Sequence, residues 1–181
     1  MAADPDFTEL RTDRLVIRRF RPEDVEAFAA YRSDPDVARY QSWEAFARAQ
    51  AETFVEDIAS LHPGMPGDWF QFAVADVVSD ALLGDTALCV DADDASRAEL
   101  GFTFAPAHQG KGYATEAVRA TIDYAFDRLG VEVVVGVTDA RNTASIALLE
   151  RIGMTHVSTA HVEFKDEWCD EHTYELRRGL G

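Results

Sequence analysis

The stretch Glu99-Leu-Gly-Phe-Thr-Phe-Ala-Pro-Ala-His-Gln-Gly-Lys-Gly-Tyr-Ala-Thr-Glu116 decides how the chain is read. It begins as an alternating run, with Leu100, Phe102 and Phe104 on one face and Glu99, Gly101 and Thr103 on the other, as in a strand. A Pro/Gly turn then leads into a helix, and Gly110 and Gly112 leave the amides of Gly110 to Ala114 uncovered where that helix opens. The first N–H groups of a helix have no intrahelical acceptor, and the macrodipole adds about half a positive charge there. Such a turn is suited to a phosphate or pyrophosphate.

Downstream, the stripe Ala117, Val118, Ile122, Ala125, Phe126 and Leu129 predicts a helix from Gly112 to Leu129, stopped at Gly130. Val131 to Val137 is nearly continuous and β-branched, the pattern of a strand covered on both faces in a parallel pair. A second amphipathic helix spans Asn142 to Ile152, and Met154 to Phe164 and Glu171 to Arg177 complete the strands. Upstream, Trp69 to Val74 and Leu82 to Val90 form a meander with Arg97 to Phe104. Leu15 to Phe20 is a first strand, and helices are expected after Pro22 and from about Trp43 to Leu61. Ser33-Asp34-Pro35-Asp36 is read as a stop to the first of these, and His62-Pro-Gly-Met-Pro-Gly67 as a stop to the second. Residues 1–12 lack a period and are read as a loose N-terminal segment, with residues 13–178 as one domain. Antiparallel strands followed by a β-α-β unit give an α+β class, helices on a mixed sheet.

With 181 residues, 47% of them hydrophobic, the chain can bury one substantial core. No run approaches the roughly 20 apolar residues that span a bilayer, and no basic-then-apolar leader opens the sequence, so the expected location is cytoplasmic. Cys89 and Cys169 are too far apart for a CxxC motif, which suits a reducing compartment and structural roles. The net charge of −16 argues against nucleic-acid and anionic-membrane partners. It favours a cationic or amine-bearing substrate, and it obliges any polyanionic ligand to find local relief from backbone amides and from Lys111, Arg119 and Arg141.

Two better-known phosphate-binding turns do not fit. The third glycine position of a dinucleotide fingerprint holds Thr115, and the segment about twenty residues on, Gly130 to Val135, has no acid well placed at a strand end to take a ribose hydroxyl. Lys111 lies between the glycines instead of before a Ser or Thr, so there is no P-loop. Gln109-Gly-Lys-Gly-Tyr-Ala114 instead resembles the Q/R-x-x-G-x-G/A signature of the GCN5-related N-acetyltransferases. Leu15 to Arg18, Ser33-Asp34-Pro35 with Trp43, Glu99-Leu-Gly-Phe102, Ala114-Thr-Glu-Ala117, and Asn142-Thr-Ala-Ser145 followed by Glu150-Arg-Ile-Gly-Met154 resemble its RimJ/RimL-like branch, which acts on ribosomal-protein N-termini.

That resemblance implies a sheet of about seven strands with about four helices, splayed between strands four and five. It implies acetyl-CoA as cosubstrate, no metal, and a primary amine as acceptor, either a protein N-terminus or a small molecule. A homodimer is a candidate assembly. The cofactor set it implies is Phe102, Phe104, Gln109, Gly110, Lys111, Gly112, Tyr113, Ala114, Thr115, Asn142 and Ser145. Asn142 is open to two readings, a helix cap alone or a cap that also holds the cofactor arm.

For catalysis, Glu99 is the first candidate base, against the alternative of an ordinary polar residue on a strand face. Many family members carry a Tyr acid seven residues after the Asn, but Leu149 stands there. Ser145 is its candidate substitute. Tyr113, His108, His161 and Glu163 are weaker candidates, and Tyr40, Trp43 and Trp69 are candidate walls of the acceptor pocket. The missing Tyr keeps open a second class of function, a CoA-binding module without catalysis.

Overall fold

The computed structural model describes residues 3–44 and 46–179. Its strands are β1 (Glu9–Arg11), β2 (Leu15–Arg18), β3 (Trp69–Asp76), β4 (Leu82–Val90), β5 (Arg97–Phe104), β6 (Val133–Asp139), β7 (Thr155–Phe164) and β8 (Glu167–Arg177). Its helices are α1 (Val25–Arg32), α2 (Pro35–Ala38), α3 (Arg48–Ile58), α4 (Tyr113–Asp127) and α5 (Thr143–Arg151). The strands form one sheet in the order β1-β2-β3-β4-β5-β6-β8-β7, antiparallel throughout except for β5 beside β6. This is the expected mixed α+β class, with one strand and one helix more than the sequence pattern predicts.

The extra strand corrects the loose N-terminus. Leu10 pairs with Ile17 and Arg11 with Val16, so β1 extends the sheet by one strand. Ahead of it, Phe7 is only 7% exposed and meets the rings of Phe70, Phe72 and Tyr124 edge-on. A lone Phe in a polar run has no periodicity to betray it, because its partners lie far along the chain. The extra helix arises where a stop was expected. The Asp34 carboxylate accepts the N–H groups of Asp36 and Val37, which caps α2 and restarts the helix. The next helix, expected from Trp43, begins at Arg48; Ala45 lies outside the described residues.

Helices cover both faces of the sheet. Val118, Ile122 and Ala125 of α4 pack with Leu148 and Leu149 of α5 on Leu15, Phe72, Leu88, Leu100 and Val134. On the other face Phe28 and Ala29 of α1 and Val55 of α3 meet Ala73 and Leu82. Asp85 of β4 is fully buried beneath α1, where the Tyr31 hydroxyl donates to it, Gln71 Nε2 donates at 2.6 Å and Arg32 approaches to 3.6 Å. Burial pushes the Asp85 carboxyl up, with the Arg32 charge opposing. Arg32 in turn lies 3.8 Å from the Trp43 ring, and the Trp43 indole donates to the Arg32 carbonyl. The segment after α2 is thus tied to β4 through α1. No helix among the described residues is long and apolar enough to cross a membrane.

The feature that shapes the site is the end of the parallel seam. β5 and β6 pair from Arg97 with Val133 to Leu100 with Gly136 and no further. Past that point β5 stays with β4, through Phe104 opposite Gly84, and β6 stays with β8, through Asp139 opposite Glu171. The expected splay between strands four and five is therefore present, as β5 and β6 once β1 is counted. Where β4 closes on β5, a Cβ on Gly84 would lie 2.4 Å from the Thr103 carbonyl oxygen and 2.8 Å from the Phe104 Cα. Backbone cannot yield there as a flexible side chain would. Gly84→Ala is expected to cost about 3 kcal/mol, lowering the melting temperature by roughly 6–12 °C in a calorimetric scan.

Candidate active site

The splay opens into a cleft of about 1350 Å³. That exceeds the roughly 300–1,000 Å³ of a site for a drug-sized ligand, and so has room for a longer one. Leu100 to Phe104 form one wall, Val137, Thr138, Asn142 and Ser145 the other, and the mouth of α4 closes one end.

The turn before α4 is built by its own residues. Pro106–His108 forms one 3-10 turn, and Gln109 Nε2 donates to the Phe104 carbonyl at 2.9 Å, tying the turn to the end of β5. Gly110 and Gly112 take φ values of +71° and +81°, the left-handed region that favours glycine. The first amide of α4 with a backbone acceptor is that of Glu116, which donates to Gly112. The N–H groups of Gly110 to Thr115 have no acceptor among the described residues, so a row of donors faces an anion-sized space. Arg119 and Arg151 also line the cleft, and Arg119 donates to the Arg151 carbonyl at 3.1 Å. They supply positive charge at this end of a strongly acidic chain.

Most of the residues singled out from the sequence meet here. Phe102, Phe104, Gln109, Gly110, Gly112, Tyr113, Ala114, Thr115, Asn142, Ser145 and Tyr40 all line the cleft, as does His108. Asn142 caps α5, its side-chain oxygen accepting the Ser145 N–H at 3.2 Å, which leaves its amide NH₂ for a ligand. Tyr40 donates to the Arg141 carbonyl at 3.4 Å.

Others lie elsewhere. Lys111 is outside the cleft lining, and its carbonyl is held by Arg14. Trp43 is spent on Arg32. Trp69, 41% exposed, lies within 3.6 Å of where a Cβ on Gly101 would stand. Arg141 is engaged by Asp139 and Glu167. His161 pairs with Asp170 and stacks on Trp168 on the exposed hairpin of β7 and β8. The sequence pattern missed Thr12, Arg14, Asp36 and Val37, which also line the cleft. The only signal for them was the position of Thr12 and Arg14 beside the first strand.

Glu99 is not among the lining residues, yet it sits at the root of the splay, one position before the last parallel pair. Alternation gives it the same face as Gly101 and Thr103, and Thr103 lies opposite Asp85, so this is the α1 face and not the α4 face. Its side chain reaches solvent, but the surrounding protein is dense. That burial raises its carboxyl above the usual range, and the like charge of Glu171 adds to it. Cys89, opposite Glu99 on β4, has its thiol pushed up by burial and by the charges of Glu99, Asp68 and Asp91. The cradle and the acidic patch therefore flank the sheet on opposite faces, with the splay between them. Among the described residues no group of three or more His, Cys, Asp or Glu could hold a metal ion.

A family model described as an acetyltransferase (GNAT) domain matches residues 14–155. The chain belongs to the GNAT acetyltransferase family. The uncharacterized N-acetyltransferase p20 of Bacillus licheniformis is 31% identical over 144 residues, 79% of this chain and 80% of that protein. An acetyltransferase of the GNAT family from Bacillus anthracis superposes with a TM-score of 0.82 at 28% identity, over 94% of this chain and 98% of its own. The ribosomal-protein-S5-alanine acetyltransferase of Vibrio fischeri, 18% identical over 96% of this chain and 98% of its own, shares the fold with a TM-score of 0.81.

In this GNAT enzyme the position of the familiar Tyr is structural. Leu149 is 1% exposed, and its methyls lie 3.0 and 3.4 Å from where a Cβ on Gly136 would stand, beneath the last residue of β6 that pairs with β5. GNAT acetyltransferases use acetyl-CoA, and the unpaired amides fit a pyrophosphate. Gly112→Asp puts a carboxylate among those amides and a Cβ 3.3 Å from Arg14 Nη2. Calorimetric titration is expected to show acetyl-CoA binding weakened at least about 100-fold, with cooperative unfolding retained.

Proposed function

We propose that this chain transfers the acetyl group of acetyl-CoA to a primary amine by direct attack in a ternary complex. The observation that carries the proposal is the row of unpaired amides from Gly110 to Thr115, opening where the parallel seam of β5 and β6 ends, with Glu99 at its root. When bound, acetyl-CoA supplies an acyl group activated as a thioester. The chain's own residues have four tasks. The amides at the mouth of α4 hold the pyrophosphate. The edges of β5 and β6 past Leu100 and Gly136, left without strand partners, offer backbone groups to an extended arm. The Asn142 amide, fixed by its role as a cap, adds a donor to that arm.

The fourth task is proton management. An alkyl amine has a pKa near 10 and a thiol near 8.5, so removing the amine's proton is the harder demand. Glu99 accepts it, through a water, and its raised pKa makes it a better base than an ordinary carboxylate. The Ser145 Oγ has no protein partner among the described residues and lines the cleft, which suits it to donate to the departing sulfur. Both acceptor classes, a protein α-amine and a small-molecule amine, present the same neutral nitrogen. The competing reading, a CoA-binding module without catalysis, draws on the buried Leu149.

Thiol release from acetyl-CoA, followed across a panel of amines and peptide N-termini, separates the two. Turnover with at least one acceptor is expected; tight binding with none would favour the module. With that acceptor, turnover should fall on the acid side as Glu99 protonates, at a higher pH than a normal glutamate allows, because its pKa is raised. Glu99→Gln is expected to lower kcat about 100-fold and remove that acid limb, with acetyl-CoA affinity kept. For Ser145→Ala the expected loss in kcat is about tenfold, and a rate within twofold of the parent takes the hydroxyl out of the mechanism.

A further inference from the structure

The contacts behind the cradle carry an inference that rests on the cofactor reading above. We propose that Thr12 and Arg14, on the turn between β1 and β2, act with Glu116 as positioning residues that hold the Gly110–Gly112 loop in its anion-binding shape. Glu116 is the fourth residue of α4. Its carboxylate accepts from Thr12 Oγ1 at 2.6 Å, from the Arg14 backbone N–H at 3.0 Å and from Arg14 Nε at 2.7 Å. Arg14 Nη2 adds an ion pair at 2.6 Å. With two nitrogens so occupied, Arg14 Nη1 still donates to the Lys111 carbonyl at 3.0 Å.

That last bond acts on the cradle. No backbone donor holds the Lys111 carbonyl among the described residues. In a trans peptide the carbonyl and the following N–H point to opposite sides. Drawing the Lys111 oxygen to Arg14 therefore turns the Gly112 N–H away from Arg14; a flipped plane would aim that donor at a guanidinium and forfeit the bond. Arg14 also backs the loop sterically, 3.3 Å from where a Cβ on Gly112 would stand and 4.6 Å over the Tyr113 ring. Besides this clamp, α4 has anchors of its own in the core. Ala117, Val118 and Ala125 of α4 are fully buried, Thr121 bonds Thr86 at 2.9 Å, and the Arg14 side chain is 46% exposed.

The sign of one substitution separates the clamp from simple electrostatics. A carboxylate one turn into the helix repels a polyanion at its mouth, so charge alone predicts that removing Glu116 tightens binding. The clamp predicts the reverse. Acetyl-CoA is titrated calorimetrically into the parent and into Arg14→Gln, Arg14→Lys, Glu116→Ala and the Arg14→Gln/Glu116→Ala double variant, well below every melting temperature. Each single variant is expected to weaken the Kd about tenfold, the size of one charge-assisted hydrogen bond, and the double variant to be no worse than the poorer single. Arg14→Lys keeps the charge but donates from one point, so it is not expected to restore affinity. Glu116→Ala binding as tightly as the parent or tighter, or full affinity in Arg14→Lys, overturns the clamp. A parent that fails to bind acetyl-CoA overturns the cofactor reading itself.

Discussion

The structure turns on where one seam of the sheet stops. β5 and β6 are the only parallel neighbours among the described strands, and their register ends at Leu100 and Gly136. Parallel pairing is slightly weaker per residue than antiparallel pairing. Beyond that point each strand follows its longer antiparallel ladder, β5 to β4 and β6 to β8, while the sheet twists. The weaker seam is the one that parts. What remains is a slot between two strands whose facing edges have no strand partner past Leu100 and Gly136.

Charge is arranged around that slot in two unlike ways. In a chain of net charge −16, the α4 side offers unpaired backbone dipoles, with Arg14, Arg119 and Arg151 lining the cleft beside them, and so on the proposed reading it is the side that would take a polyanion. On the opposite face Glu99 and Glu171 keep the acidic character of the rest of the chain, which suits an amine. The sheet separates the two fields. Interactions across it pass through the splay, so cosubstrate and acceptor would meet only where the seam is open.

Much of this was legible in the residues themselves. The limits of β4 and β5, the α4 and α5 stripes and the glycine turn between β5 and α4 follow from periodicity and turn chemistry, which are local. The cradle was legible for the same reason: two left-handed glycines and a helix start lie within a few residues of one another. Glu99 was found as a strand-face carboxylate, but its closeness to Glu171 needs β8 to pair with β6. Exposed and structural aromatics look alike in sequence, so Trp43 is a candidate acceptor wall by residue type, and only the packing shows its contact with Arg32.

Sequence alone determined the fold class, the cradle and the family, because each rests on contacts between near neighbours or on a contiguous motif. Tertiary structure alone decided β1, the burial of Phe7 and the meeting of Arg14 with Glu116, which lie 102 residues apart. A polar run and a single arginine carry no period that names a distant partner. The contacts of Thr12 and Arg14 with the glycine turn and Glu116 exist only once the β1–β2 turn is laid beside the first turn of α4.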